Sequence, residues 1–202
     1  MPLDLLLALG IFAFVASITP GPNNLMLLAS GMNFGFARTI PHMLGVGFGF
    51  VFMILCIGFG IGQLFAAFPV LYTVLKVLSV AYMLWLAWKI ANAGPIKAAE
   101  TGGAVNPMGF WAAAAFQWVN PKAWAMALAA VANFTMPSAY LVSVGIMAAV
   151  FGLVNIPSIA VWAGFGAAMS DVLRDPVRVR VFNIAMALAL VGSLYPVIMF
   201  EH

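Results

Sequence analysis

Charge is what this chain lacks most. Charged residues make up 6% of its 202 residues, only five of them acidic, while 65% are hydrophobic. A soluble domain carries about 25% charged residues, so this chain cannot cover a water-facing surface and must face lipid. The formal charge is +3, but the cations are too few and too scattered to form a phosphate-binding face, and no nucleic-acid partner is expected. The single cysteine, Cys56, excludes an internal disulfide and a CxxC redox pair. One Cys, two His and five acids supply no ligand set at metal spacing, so neither a metal nor another cofactor is expected. There is no HExxH, no pair of intramembrane carboxylates and no serine with a plausible base, so the chain does not read as an enzyme. The N-terminus lacks a basic n-region, opening with Pro2 and Asp4, and its apolar run passes residue 18. It reads as a retained helix rather than a cleaved leader.

What the chain has is long apolar runs, at a mean hydropathy of +1.12. A spanning helix needs about 20 apolar residues. Six stretches qualify: Leu3–Met32, Ile40–Phe65, Val70–Ala91, Met108–Asn133, Ser138–Met169 and Val181–Phe200. Open sheets would strand backbone polar groups in lipid and period-2 alternation is absent, so the expected fold is an all-α integral membrane protein of six transmembrane helices. Arg38 falls in loop one, Lys97 in loop three with Lys89 just before it, and Arg174, Arg178 and Arg180 in loop five; loops two and four carry no Lys or Arg. By the positive-inside rule the odd loops are cytoplasmic and both termini periplasmic. Lys76, near the outer end of the third helix, snorkels to the interface.

The one extended break, Asn92–Asn106, contains Gly94, Pro95, Gly102 and Gly103. It joins halves of about 1–91 and 107–202 in a single transporter domain, as a cytoplasmic loop 92–106. Three helices per half imply entry from opposite sides, the geometry of two inverted repeats. Weak echoes agree. Pro22-Asn23 is followed by Asn33-Phe34 and Pro121-Lys122 by Asn133-Phe134; Gly58-Phe59-Gly60 is matched by Gly164-Phe165-Gly166.

The polar residues gather at breaks. In Thr19-Pro20-Gly21-Pro22-Asn23-Asn24, two prolines withdraw the i+4 donors of Ala16 and Ile18, and Asn23 or Asn24 can cap a new start. The first helix is therefore expected to be broken over Thr19–Asn23. Its freed carbonyls suit a substrate ammonium, and the N–H groups of the restarted helix suit a carboxylate. In Gln117-Trp118-Val119-Asn120-Pro121-Lys122, Pro121 frees the carbonyl of Gln117 and breaks the fourth helix. Lys122 is placed about a dozen residues into that helix, near the midplane, with no intramembrane acid to pair with. It is expected to bind substrate or carry a proton; the plainer alternative is donation to the broken backbone of the first helix. The two breaks are expected to face each other in the bundle interior. Asn155 and Pro157 form a third polar break. Asn155 is a candidate ligand, although a lone membrane Asn is more often interhelical glue. His42, after Pro41, is a second proton-coupling candidate. Gly45/Gly49 and Gly58/Gly62 allow close helix packing.

These residues resemble a known family. Phe14-Val15-Ala16-Ser17-Ile18-Thr19-Pro20-Gly21-Pro22-Asn23-Asn24, followed by Gly35-Phe36-Ala37-Arg38, is similar to the N-terminal signature of the LysE/RhtB amino acid exporters. The similarity continues in Ala81-Tyr82-Met83-Leu84-Trp85-Leu86-Ala87-Trp88-Lys89-Ile90, in Phe110-Trp111 and in Gln117–Lys122. The resemblance covers essentially the whole chain. It implies proton-motive-force-driven efflux of small amino acids or their derivatives across a bacterial inner membrane, by alternating access. The cysteine/O-acetylserine subgroup looks nearest and the homoserine/threonine exporters next. It implies a site role for Thr19–Asn24 and Asn120–Lys122. Expected partners are an amino acid, protons and membrane lipid, with a homodimer left open. The rival reading is a passive channel or structural membrane protein.

Overall fold

The computed structural model describes residues 1–61, 67–92, 106–169 and 175–192. Most of the expected loop 92–106 with Lys97, together with Gly62, Arg174 and the sixth stretch beyond Gly192, lies outside the described residues. The elements are α1 (Leu3–Ile18), α2 (Pro22–Cys56), a π-helical turn (Ile57–Ile61), α3 (Pro69–Ala91), α4 (Phe110–Phe116), a 3-10 turn (Gln117–Val119), α5 (Pro121–Phe134), a second 3-10 turn (Pro137–Ala139), α6 (Tyr140–Met169) and α7 (Pro176–Gly192). No strand occurs among the described residues.

Two segments, Pro22–Ile61 and Pro137–Met169, are long and apolar enough to cross a membrane; Leu3–Ile18 and Arg180–Gly192 are shorter apolar helices. The first of these segments is not one straight rod. Gly35 sits at φ 77°, ψ 166° inside α2, a region that a side chain rarely enters. Ser30 Oγ and Thr39 Oγ1, nine positions apart, lie 3.0 Å from each other. Straight helix would separate them by roughly 13 Å, so the chain folds back at Gly35. Leu27 accordingly packs in one cluster with Met43 and Val46. The loop expected around Arg38 is thus reduced to one glycine between helical arms 22–34 and 36–56.

The expected first break is present but shorter than Thr19–Asn23. It covers Thr19–Gly21, because Pro22 begins helix again at the position where a missing N–H costs nothing. The fourth stretch breaks too, at Asn120, with Pro121 in the same first-turn position. The third expected break is absent: α6 runs through Pro157 without interruption.

α6 is the central packing partner. Gly31 and Gly166 bring the 22–34 arm against it, since a Cβ at Gly31 would run into the Ala163 carbonyl and one at Gly166 into the Leu28 carbonyl. Gly45 and Gly49 do the same for the 36–56 arm against α4, at Phe110 and Ala114. The expected close packing of helix two is therefore realised through Gly45/Gly49. Leu9, Ala13, Phe50, Met53, Trp124, Ala127, Met147 and Phe151 fill the main core. Leu25, Met83, Ala87, Ala187 and Leu190 form a second cluster, where α3 and α7 meet the 22–34 arm.

The outer faces of the molecule are apolar, and its interior holds a set of polar residues among the apolar core. On α1, Leu3, Leu7, Ile11 and Phe14 are more than half exposed on one stripe, while Leu9, Ala13 and Ser17 are buried on another. α3 exposes Val70, Val74, Val77 and Leu78, and α7 exposes Val177, Val181 and Leu188. Ser17, Asn24, Ser30, Thr39, His42, Gln117, Asn120, Ser143, Asn155, Ser158 and Asn183 are buried. A helix that is apolar all round belongs in lipid or in a large core, and these apolar faces are on the outside.

Candidate functional site

The break in the first span leaves five carbonyls, Ala16 to Pro20, without helical donors. An unpaired buried carbonyl costs about 1–3 kcal/mol, so the question is where these bonds go. Ala16 O accepts from Thr19 Oγ1 at 3.1 Å. Ser17 O accepts from Asn24 Nδ2 at 2.8 Å, and Thr19 O from the same nitrogen at 2.7 Å. Ile18 O accepts from Trp162 Nε1 of α6 at 3.0 Å. Lys122 Nζ donates to Thr19 O at 2.7 Å, Thr19 Oγ1 at 3.0 Å and Pro20 O at 3.2 Å. Every freed carbonyl is met by a side chain. The expectation that they wait for a substrate ammonium therefore does not describe this conformation: the protein's own amide, indole and ammonium hold them.

Lys122 is not in mid-helix. It is the second residue of α5, where the helix dipole disfavours a cation. Its stem reaches across to the C-terminal end of α1, where the dipole favours one. Gly21 makes room for it, since a Cβ there would come within 2.7 Å of Lys122 Cδ. The oxygens around Nζ are all neutral, as the absence of intramembrane acids in the sequence requires.

The second break is capped from within. Gln117 Nε2 donates to Ala113 O at 2.9 Å, and Asn120 N to Gln117 O at 3.3 Å. The carbonyl that Pro121 was expected to free is thereby taken. Asn120 Oδ1 accepts from Lys122 N at 3.1 Å as the N-cap of α5. The two breaks are joined by a reciprocal amide pair. Asn23 Nδ2 donates to Gln117 Oε1 at 2.7 Å, and Gln117 Nε2 to Asn23 Oδ1 at 3.2 Å.

Between them lies a narrow, partly open cleft, lined by Ser17, Gly21, Asn23, Asn24, Asn120, Lys122 and Asn155 on its polar parts and by Ala16, Phe50, Met126 and Ile159 on its apolar ones. Of the candidate residues, Gly21, Pro22, Asn23, Asn24, Asn120, Lys122 and Asn155 line this cleft. Thr19, Pro20 and Gln117 hold the liners in place, and Pro121 starts α5 beside them. His42 is not brought there; it is buried on the 36–56 arm, and its Nδ1 has no hydrogen-bond partner among the described residues. Sequence reasoning missed Ser17, Phe50, Met126, Ile159 and Trp162. Ser17, a polar residue one turn before the break, was the legible signal. The apolar four look like any lipid-facing or core residue.

Apolar outer faces, interrupted helices and a polar cleft at the interruptions define a helical membrane protein organised around a small internal site. Residues 14–194 match the LysE type translocator family. The cysteine/O-acetylserine efflux protein of Escherichia coli strain K12 is 33% identical over 192 residues, covering 93% of this chain and 94% of that protein. The protein of the same name in Salmonella typhimurium is 32% identical over the same span. No solved structure matches the chain. The chain belongs to the LysE type translocator family and is an inner-membrane transporter.

Proposed function

We propose that this protein exports small amino acids or their close derivatives, of the cysteine/O-acetylserine or homoserine/threonine kind, from a bacterial cell. The observation that carries this reading is the convergence of two half-helix N-termini, at Pro22 and Pro121, on one cleft that also holds Lys122. Helix N-termini and an ammonium suit a carboxylate, and broken helices meeting at an internal site are the usual seat of a secondary transporter. The names of the efflux relatives point the same way.

In this reading 1–202 is one transporter domain of six spans, arranged as two inverted halves around the cleft, with both termini periplasmic. A hydrogen bond at 3.0 Å from Arg38 Nη2 to Asn106 Oδ1 supports putting loops one and three at the same end. The proton motive force drives export by alternating access. Lys122 is the coupling candidate inside the cleft, and His42, if it takes part, acts away from the substrate. A homodimer remains compatible with the exposed apolar faces.

Counterflow in proteoliposomes, with labelled cysteine, O-acetylserine, homoserine and threonine, tests the reading. Saturable exchange, with accumulation in the lumen when an outward proton gradient (acidic lumen) is imposed, is expected. Non-saturable, gradient-independent flux would establish the passive channel instead.

A further inference from the structure

One polar atom in the cleft is left without a partner. Asn155 stands on α6 and is 6% exposed. Its Nδ2 donates to Ser17 Oγ at 3.1 Å, while its Oδ1 is buried with no hydrogen-bond partner among the described residues. A buried acceptor in a native structure without a donor calls for an explanation, and a ligand donor is one. The same cleft holds unmatched donors. The first backbone bond of the 22–34 arm is Leu25 N to Gly21 O at 3.0 Å, so the N–H groups of Asn23 and Asn24 precede the helical ladder. In α5 the corresponding group is Ala123 N, between Lys122 N, which Asn120 caps, and Trp124 N, which bonds Asn120 O at 3.2 Å. Ser17 ties acceptor and donors together: its carbonyl takes Asn24 Nδ2 and its hydroxyl takes Asn155 Nδ2. The carbonyls of Thr19 and Pro20 do not compete for a ligand cation, because Lys122 already occupies them.

We propose that the cleft recognises the α-amino-acid head group as a whole, with Asn155 Oδ1 accepting from the ammonium and the N-terminus of the 22–34 arm, aided by Lys122, taking the carboxylate. The inference deepens the export reading and rests on it. The rest of the lining, Ala16, Phe50, Met126 and Ile159, is apolar and holds a small side chain without reading its polar groups. Selectivity thus falls on the head group, and side-chain discrimination is by size. Asn155 is then a specificity residue whose loss is felt only by ligands that carry the ammonium.

The test is counterflow of labelled L-cysteine by the full-length protein under reducing conditions. Competitors are unlabelled cysteine, 3-mercaptopropionate, which lacks the ammonium, and cysteamine, which lacks the carboxylate. Wild type should be inhibited at least tenfold more strongly by cysteine than by either analogue. Asn155→Leu should weaken cysteine about tenfold and leave the weak inhibition by 3-mercaptopropionate unchanged, which also shows that the variant is folded. Asn155→Asp, which keeps only acceptors at this position, should recover most of the loss. If no amino acid undergoes counterflow in wild type, the export reading fails and takes this inference with it. If cysteine does, but 3-mercaptopropionate competes equally, or Asn155→Leu weakens both alike, or Asn155→Asp behaves as the leucine variant does, export stands and ammonium recognition by Asn155 is overturned.

Discussion

At the break in the first span, three of the five freed carbonyls accept from donors far along the chain: Trp162 reaches Ile18 O across 144 positions, and Lys122 reaches Pro20 O across 102 and Thr19 O, which it shares with Asn24, across 103. At the break between α4 and α5 the chain serves itself. Gln117 turns back to Ala113, Asn120 N to Gln117, and Asn120 Oδ1 to Lys122 N, none more than four positions away. The second break is a local, self-capped turn that presents Lys122 and Gln117 from a fixed base. The first is held open by tertiary contacts, so its geometry changes if those contacts move. A carrier needs one element of each kind, a platform and a part whose bonds can be exchanged, and here the exchangeable bonds converge on Lys122.

Removing Lys122 should have the largest effect. Lys122→Met keeps the stem but deletes every bond between α5 and the broken end of α1. Counterflow is expected to fall by about two orders of magnitude or more, in line with the loss of a charge-assisted contact of about 1.5–3 kcal/mol together with a carboxylate partner, while insertion is preserved. Lys122→Arg should keep part of the exchange, but its rigid fork releases no proton, so accumulation driven by a proton gradient should be lost. Normal transport in Lys122→Met would leave Lys122 as a structural donor only and dissolve the contrast.

Stability should separate the breaks next. Asn24→Ala strips donors from Ser17 O and Thr19 O and should cost about 1–3 kcal/mol. Asn120→Ala loses one cap, typically about 1 kcal/mol. Thermal unfolding in detergent should therefore place Asn24→Ala clearly below Asn120→Ala, and equal losses would mean that the first break leans no more on Asn24 than the second does on its Asn120 cap. The smallest effect should come from Trp162→Phe, which keeps the ring but leaves Ile18 O unpaired, at about 1 kcal/mol. Because that bond lies beside the cleft rather than in it, counterflow should change by less than threefold; a large loss of transport would extend the exchangeable region to α6.

Much of the fold was legible because lipid imposes coarse rules. Apolar runs gave helices close to their observed extents, Val70–Ala91 against Pro69–Ala91 and Ser138–Met169 against Tyr140–Met169. Proline gave two of three breaks, since a missing N–H acts locally. Pro157 misled because a proline inside a helix well packed on its neighbours removes one bond without ending it; Ser158 Oγ meanwhile bonds Val154 O at 2.7 Å. The loop around Arg38 misled because a charged, glycine-containing stretch reads as a loop, whereas one glycine with positive φ suffices for the reversal.

By itself the sequence determined that this chain is a helical membrane protein, which family it belongs to, and that the segments Thr19–Asn24 and Gln117–Lys122 are where its helices cannot continue. The family is carried by its sequence motifs, while the helical membrane class and the breaks follow from composition and from the missing N–H of proline, which need no tertiary contact. Only the tertiary structure decided which groups answer the freed carbonyls, that Lys122 sits at a helix start with its ammonium on the end of α1, and that Asn155 Oδ1 stays unmatched while His42 stands apart. The physical reason is that a hydrogen bond is specified by distance and direction, and between residues more than a hundred positions apart only the packing of the helices on α6 sets either.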